Sequence, residues 1–553
     1  MATTTPHRPV VADPVPIRPP RGGGPFTGTA MLVRFALRRD RFRIPAWLVG
    51  ITAVQVGGAA MYPDLYPTAV DRRIQATIVV ENPAMRAMTG PAHGLDQPTY
   101  GALLSNEFLG LVAVVVALMS VLLVVRHTRA EEEAGRAELV LASSVGRYAH
   151  LAAALVTVAG ASLLLGLLVA LGLGTLGIES VGWSGSFVLG AALAAVGLVF
   201  AAVAAVAAQV TAYGRAAAGA AGAVIGVAYA VRAIGDMADN GLSWLSPIGW
   251  AQATAPYVRD DVWPLALALA AALGLSGLAF RLAARRDHGA GLVTPRPGTV
   301  AGSRWLVSPL GFAWRLQRTA LLWWSVAMLL VGLAYGSAVD ILEEYADNEI
   351  VQELVAAAGG TTLTESWLSV ILTVTAIVAT VAGVIAALRP RREELSGRAE
   401  PVLATALART TWVATHAAIA MAGGVVLLAV TGAALGGTGA LVTGEADLFG
   451  QVLGASVAYA PALWLTTALA VAVFGLAPRA IGVVWALLVY AVLMVYLGGL
   501  LQLPQWMLNL SPYTHVPGMP AAEFTIWPLA ALTAIAAVLV AVGLYAFRCR
   551  DLH

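Results

Sequence analysis

Apolar runs of about 20 residues recur along the whole chain, each separated from the next by a polar stretch. Twelve stand out: near residues 44–62, 107–126, 150–176, 185–209, 215–234 and 263–283, then near 320–340, 366–388, 411–436, 448–474, 478–500 and 524–547. A bilayer core of about 30 Å takes about 20 residues of helix, so each run is long enough to span it. Many runs are rich in alanine and glycine, as in AALAAVGLVFAAVAAVAA, and small residues let helix backbones approach closely in lipid. The pattern predicts an all-α polytopic membrane protein with about twelve transmembrane helices.

The polar positions are as patterned as the apolar ones. RAEEEAGRAELVLASSVGR at 129–147 and RREELSGRAEPVLATALAR at 391–409 share 11 of 19 residues at an offset of 262. Other landmarks keep nearly that spacing: Arg215 with Arg479, LSPIGW at 245–250 with LSPYTH at 510–515, and Trp263-Pro264 with Trp527-Pro528. Ordered landmarks at one offset predict a duplicated unit. Six spans begin and end on the same side, so the expected arrangement is two parallel six-helix repeats. The expected organisation is a disordered cytosolic tail at 1–25, a first six-span half with an entry helix at 26–283, a cytosolic linker at 284–306 and a second six-span half at 307–553.

Counting arginines orients the chain. With a cytosolic N-terminus, only Arg72, Arg73, Arg86, Arg232 and Arg259 fall outside, leaving 28 of the 33 basic residues inside, as the positive-inside rule requires. Both termini are then cytosolic.

Composition adds exclusions. Hydrophobic residues make up 59% of the 553 and charged residues 12%, about half the charge of a soluble domain. No lysine occurs anywhere, and a Walker A phosphate loop needs one, so ATP hydrolysis of that kind belongs to another polypeptide. The single cysteine, Cys549, allows no intrachain disulfide, and the eight histidines show no metal-ligand spacing,.

In both charged lines an acid stands four residues before an arginine, Glu132 with Arg136 and Glu394 with Arg398, the favourable order for a pair on one helix face. Gly135 and Gly397 interrupt each copy, and Val140, Leu141, Val402 and Leu403 supply an apolar surface behind it. A solvated loop explains the arginines alone. A short helix that docks on a cytosolic partner explains the acids, the glycine and the apolar run together.

The duplicated E-E-x-x-G-R-A-E-x-V-L-A pattern, in a chain of this length, resembles the type-two permeases of ABC exporters. In particular it resembles the actinobacterial polyketide-antibiotic and multidrug exporters of the tetronasin type. The resemblance implies that the helix after the second span of each half is a coupling helix resting on an ATP-binding subunit. Carried over residue by residue, the coupling positions are Glu131, Glu132, Gly135, Arg136, Glu138 and Arg147, then Glu393, Glu394, Gly397, Arg398, Glu400 and Arg409. It further implies two copies of an ABC ATP-binding subunit as partners, with ATP and Mg bound there and no cofactor in this chain. FTGTAMLVRFALRRDRFR at 26–43 fits an interfacial amphipathic helix, with VSPLGFAWRLQRT at 307–319 as a looser counterpart. The SPIGW and SPYTH segments correspond to short re-entrant helices or to ordinary Ser-Pro turns. The external segments at 63–106 and at 341–365 form a lid or passive loops.

The expected activity is export of hydrophobic or amphipathic compounds across a bacterial plasma membrane, with no catalytic residue, no metal and no nucleic acid. Candidate cavity residues are Met119, Phe200, Trp323, Trp324, Met328, Trp367, Tyr490 and Met494. An ion-coupled 6+6 transporter predicts acids buried in the spans, and almost none are apparent mid-span. A polytopic membrane enzyme predicts clustered Asp, Glu or His; the acidic stretch at 340–353 is the one candidate.

Overall fold

A computed structural model describes residues 24–81, 83–136, 145–287, 289–293, 302–337, 339, 363–497, 504–520, 522 and 524–551 of the protein. The described chain is helical throughout and holds twelve helices, or helix pairs, long and apolar enough to cross a membrane. It divides into two compact units, Met1–Pro297 and Gly298–His553, with six such spans in each.

The first unit comprises α1 (Thr29–Arg39), α2 (Arg43–Ala60), α3 (Tyr62–Leu65), α4 (Ala69–Glu81), α5 (Pro83–Thr89), α6 (Tyr100–His127), α7 (Arg129–Glu133), α8 (Ala149–Gly174), α9 (Trp183–Val210), α10 (Gly214–Met237), α11 (Pro247–Ala253) and α12 (Trp263–Arg285). The centre of the unit is α6 and α9, whose apolar windows are 67% and 72% buried, against 17% for α12. The peripheral spans keep apolar faces exposed, as lipid-facing helices do. Gly166 of α8 and Gly190 of α9 set one crossing: a Cβ on Gly166 would stand 2.4 Å from the Gly190 carbonyl oxygen. The helices meet backbone to backbone.

The second unit comprises α13 (Pro309–Gly336), α14 (Leu363–Ala387), α15 (Arg389–Leu395), α16 (Ala399–Leu403), α17 (Arg409–Thr443), α18 (Asp447–Val457), α19 (Ala460–Leu476), α20 (Gly482–Leu497), α21 (Gln505–Leu508) and α22 (Ile526–Cys549). Its tenth span is broken where α18 meets α19, beside Pro461, because proline cannot donate to the preceding turn. The buried Tyr459 at the break meets the Thr373 hydroxyl at 2.7 Å. Gly475 and Gly543 bring α19 and α22 together, with a Cβ on Gly475 falling 2.3 Å from the Gly543 carbonyl oxygen.

One sequence expectation changes and two open ones are narrowed. The segment 307–319 is not a separate amphipathic helix, because α13 runs unbroken from Pro309 into the seventh span. The first unit does break there: Asp40, 1% exposed, turns inward between α1 and α2 to meet Arg126 at 3.0 Å and stands 3.0 Å from His127 Nε2. SPIGW begins a helix, α11, capped by Ser246, whereas SPYTH forms a single 3-10 turn, Pro512–His515. The 63–106 segment is largely helical, as α3, α4 and α5. Most of 341–365, the tail before residue 24 and part of the 284–306 segment lie outside the described residues.

Candidate functional site

The two charged lines form corresponding structures in their own units. Each begins at the end of the second span and makes one or two turns of helix. Each then stops at a glycine with φ +70°, Gly135 or Gly397. A left-handed residue just past the last turn is the common way to end a helix, and glycine adopts it without a Cβ penalty. Among the described residues no atom lies within 4 Å of a Cβ placed on either glycine, so both serve the bend rather than a close contact.

The bend overturns the expected ion pairing. Arg136 donates to Glu131 at 2.8 Å, and Arg398 donates to Glu393 at 2.8 Å. Both are five-residue spacings that cross the glycine turn, not the four-residue pairs of a continuous helix. Glu131 also meets Arg39 of α1, and Glu393 meets Arg389 at 2.7 Å.

The second acid of each line reaches across the unit. Glu132 pairs with Arg129 and with Arg286, the residue that ends α12. Glu394 pairs with Arg550, the residue that ends α22. Both arginines also fasten the fourth span of their unit: Arg286 donates to Gln209 at 2.6 Å, and Arg550 to the Phe474 carbonyl at 2.8 Å. The far ends of the lines grip the same place. Arg147 donates to the Ala284 carbonyl at 2.5 Å and Arg409 to the Arg550 carbonyl at 3.0 Å. In the first unit the strand of chain before α1 closes the arrangement, with Gly146 and Tyr148 amides donating to Thr27 and Pro25.

The line therefore has two layers. Glu131, Glu132, Glu393 and Glu394 face inward. Glu132 and Glu394 link the line to the fourth and sixth spans through Arg286 and Arg550, while Glu131 ties it to α1 and Glu393 to Arg389 at its start. Gly135, Leu395, Gly397 and Glu400 are exposed, as are Arg136 and Arg398, which reach back to the inner acids, and Glu133, which accepts from the Gly214 amide at 3.0 Å; Leu395 is 77% exposed. Val402 and Leu403 pack against the core of their unit, so they form no outer apolar surface. Glu138, Val140 and Leu141 lie outside the described residues.

Comparison with known sequences bears directly on these units. The family model described as "Multidrug efflux system permease Rv1217c, C-terminal domain" matches residues 32–282 and 306–548. The chain belongs to this family. It is also 42% identical over 551 residues to the multidrug efflux system permease protein Rv1217c of Mycobacterium tuberculosis (strain ATCC 25618 / H37Rv), covering 98% of each chain.

Within this family member the expected cavity residues have varied settings. Met119, Phe200 and Met328 are fully buried in the cores of their units and act in packing. Trp324 lines a small cavity of about 50 Å³ with Gln317 and Arg389. Trp367 touches the Tyr335 ring at 5.8 Å, and Tyr490 donates to the Met507 carbonyl at 2.5 Å. Trp323 is exposed and Met494 half-buried.

Sequence reading missed four ionisable positions. Arg232 and Asp236 form a buried pair at 3.2 Å inside α10, and Arg232 also donates to the Ala87 carbonyl at 2.8 Å. Glu107 lies within α6, accepting from the Tyr62 hydroxyl and from Gln75 at 2.9 Å. Asp40 looked like one more surface charge. Glu107 stands at the edge of the apolar run that begins near residue 107, where an acid does not stand out in the sequence; the i,i+4 spacing of Arg232 and Asp236 is the available signal,. Among the described residues no group of His, Cys, Asp or Glu could hold a metal ion.

Proposed function

We propose that this chain is the membrane-spanning subunit of an ATP-driven exporter of the type-two ABC kind. It moves hydrophobic or amphipathic compounds, such as drugs, polyketide antibiotics or lipids, out of a bacterial cell. Membership of the multidrug efflux permease family supports the cargo class. Two ATP-binding subunits, holding ATP and Mg, dock on the two charged lines, and the chain itself hydrolyses nothing. The arginine-rich end faces the cytosol, as the positive-inside asymmetry requires, and the two units arose by duplication as parallel six-span repeats.

One observation carries the coupling role. In each unit the outer edge of the charged line is an exposed turn whose inner acids are bonded to the ends of the second and sixth spans. A push on that turn is transmitted through stiff ion pairs to both spans.

The test uses outward-facing residues, so that the fold is left alone. Leu395→Asp and Glu400→Arg, at positions with no ion pair among the described residues, are combined, and the permease is co-purified with its ATP-binding subunit. The expected result is loss of the complex and of permease-stimulated ATP hydrolysis, with the thermal midpoint of the permease unchanged. Unaltered assembly and stimulation would sink the proposal.

A further inference from the structure

The end of the first unit opposite the charged line holds a polar cavity of about 340 Å³. It is built from α5, the end of α10 and α11, which are elements the coupling role does not use. One wall is Trp244, whose ring stacks on Trp263 at 4.9 Å and whose carbonyl accepts from Trp250 at 2.6 Å.

Gln252 forms part of the lining and is 4% exposed. Its amide nitrogen donates to the Thr89 carbonyl at 2.7 Å, which fixes where the amide oxygen lies. That oxygen finds no hydrogen-bond partner among the described residues. The side chain sits in a slot beside Gly90 and Gly110, where an added Cβ would lie 2.1 and 2.7 Å from its nitrogen. Next to it Asn106, 5% exposed, is pinned the same way: its nitrogen donates to the Pro91 carbonyl at 3.0 Å and its oxygen has no partner among the described residues. An unmatched buried acceptor is costly, and native proteins keep few of them without a use.

Two charges in the lining, Arg86 and Asp239, have no ion pair among the described residues. Asp236 is taken by Arg232 and by the Ser243 hydroxyl at 2.6 Å, and Arg259 lies 3.2 Å from Asp261. Asp239 is exposed. Arg86 lines the cavity with its Nε buried and without an acceptor among the described residues. Burial and the nearby Arg259 hold His93 below the usual imidazole range, so it stands in the lining as a neutral ring. The cavity is thus lined by a guanidinium whose Nε lacks an acceptor and by a side chain whose amide oxygen, buried in the wall, lacks a donor among the described residues. Guanidinium groups suit phosphate oxygens, which they can bind in pairs.

We propose that this cavity binds a hydroxylated phosphate ester of the glycerol phosphate type, with Arg86 on the phosphate oxygens and Gln252 accepting from a hydroxyl. The ester is either a free solute or the headgroup of a lipid, and a cavity of about 340 Å³ has room for a group of that size.

The experiment uses the full-length permease in nanodiscs. In one arm, discs of phosphatidylcholine are titrated with radiolabelled sn-glycerol 3-phosphate. In the other, discs containing phosphatidylglycerol are released and the retained lipid is counted by native mass spectrometry. Saturable binding in the first arm assigns a free ester, and selective phosphatidylglycerol retention in the second assigns a headgroup. Arg86→Gln and Gln252→Leu are each expected to weaken the positive arm by about tenfold or more, the size of one charge-assisted hydrogen bond. Arg215→Gln, at the other end of the unit, is expected to leave it unchanged. Thermal midpoints without ligand identify a variant that fails to fold, in which case the other variant decides. Absence of wild-type binding in both arms, or wild-type affinity in a folded Arg86→Gln or Gln252→Leu protein, would overturn the proposal.

Discussion

Glu394 accepts two hydrogen bonds from Arg550, at 2.5 and 2.6 Å, although the residues are 156 apart in the chain. Glu132 and Arg286, 154 apart, make the same link in the first unit. In the second unit the guanidinium also lies over the Phe474 and Phe547 rings, 4.9 and 5.1 Å from their centroids. Both side chains of the Glu394 pair are below a fifth exposed, so solvent screens the pair weakly. Removing one partner leaves a charge with little water around it. Glu394→Ala is expected to cost about 2–4 kcal/mol, against about 0.5 kcal/mol or less for the exposed Glu400→Ala. Thermal unfolding of the purified protein in detergent reads the difference, and equal midpoints for the two variants would falsify the inner-layer assignment.

The glycine turns make a second prediction. Gly135 and Gly397 both hold φ +70°, and a methyl group there meets no neighbour among the described residues, so the backbone conformation is what opposes it. Gly397→Ala is expected to lose about 1 kcal/mol, and Gly397→Asn clearly less, because asparagine tolerates the left-handed region better. A ranking with asparagine below alanine in thermal midpoint would count against a purely conformational role.

His93 gives the first unit a pH dependence. Burial, helped by Arg259, lowers its pKa in the folded state. Between that lowered value and the unfolded value of about 6.5, the unfolded chain binds more protons than the folded one. The associated stability is present above about pH 6.5 and declines as the pH falls through the window. His93→Gln is therefore expected to flatten the drop in thermal midpoint between about pH 7 and pH 5. An unchanged slope would show that other groups set the acid sensitivity.

Orientation can be read from one native atom. Cys549 is the sole cysteine and is exposed at the end of α22. With a cytosolic C-terminus, a membrane-impermeant maleimide is expected to label inside-out vesicles and to spare intact cells. Labelling of intact cells at the same rate would reverse the assigned orientation.

Much of the architecture was legible in the chain. Span length is a local property of composition, so apolar runs marked the spans to within a few residues. The exceptions have physical causes. The second span starts at Tyr100, before the predicted edge, because Glu107 has Tyr62 and Gln75 to bond. The seventh absorbs its predicted lead-in helix because nothing in 307–319 plays the part of Asp40.

The charged lines divide the same way. Their duplication, their place after the second and eighth spans and their two glycines are all written in the sequence. The sequence also suggested the Glu132–Arg136 pair, which is the right inference for a continuous helix. The tertiary structure decided otherwise, because the glycine turn rotates Arg136 back to Glu131 and frees Glu132 for Arg286. A local pattern determines which segments become helices. Which acid meets which arginine depends on where a span more than 150 residues away happens to end, and only the folded unit contains that information.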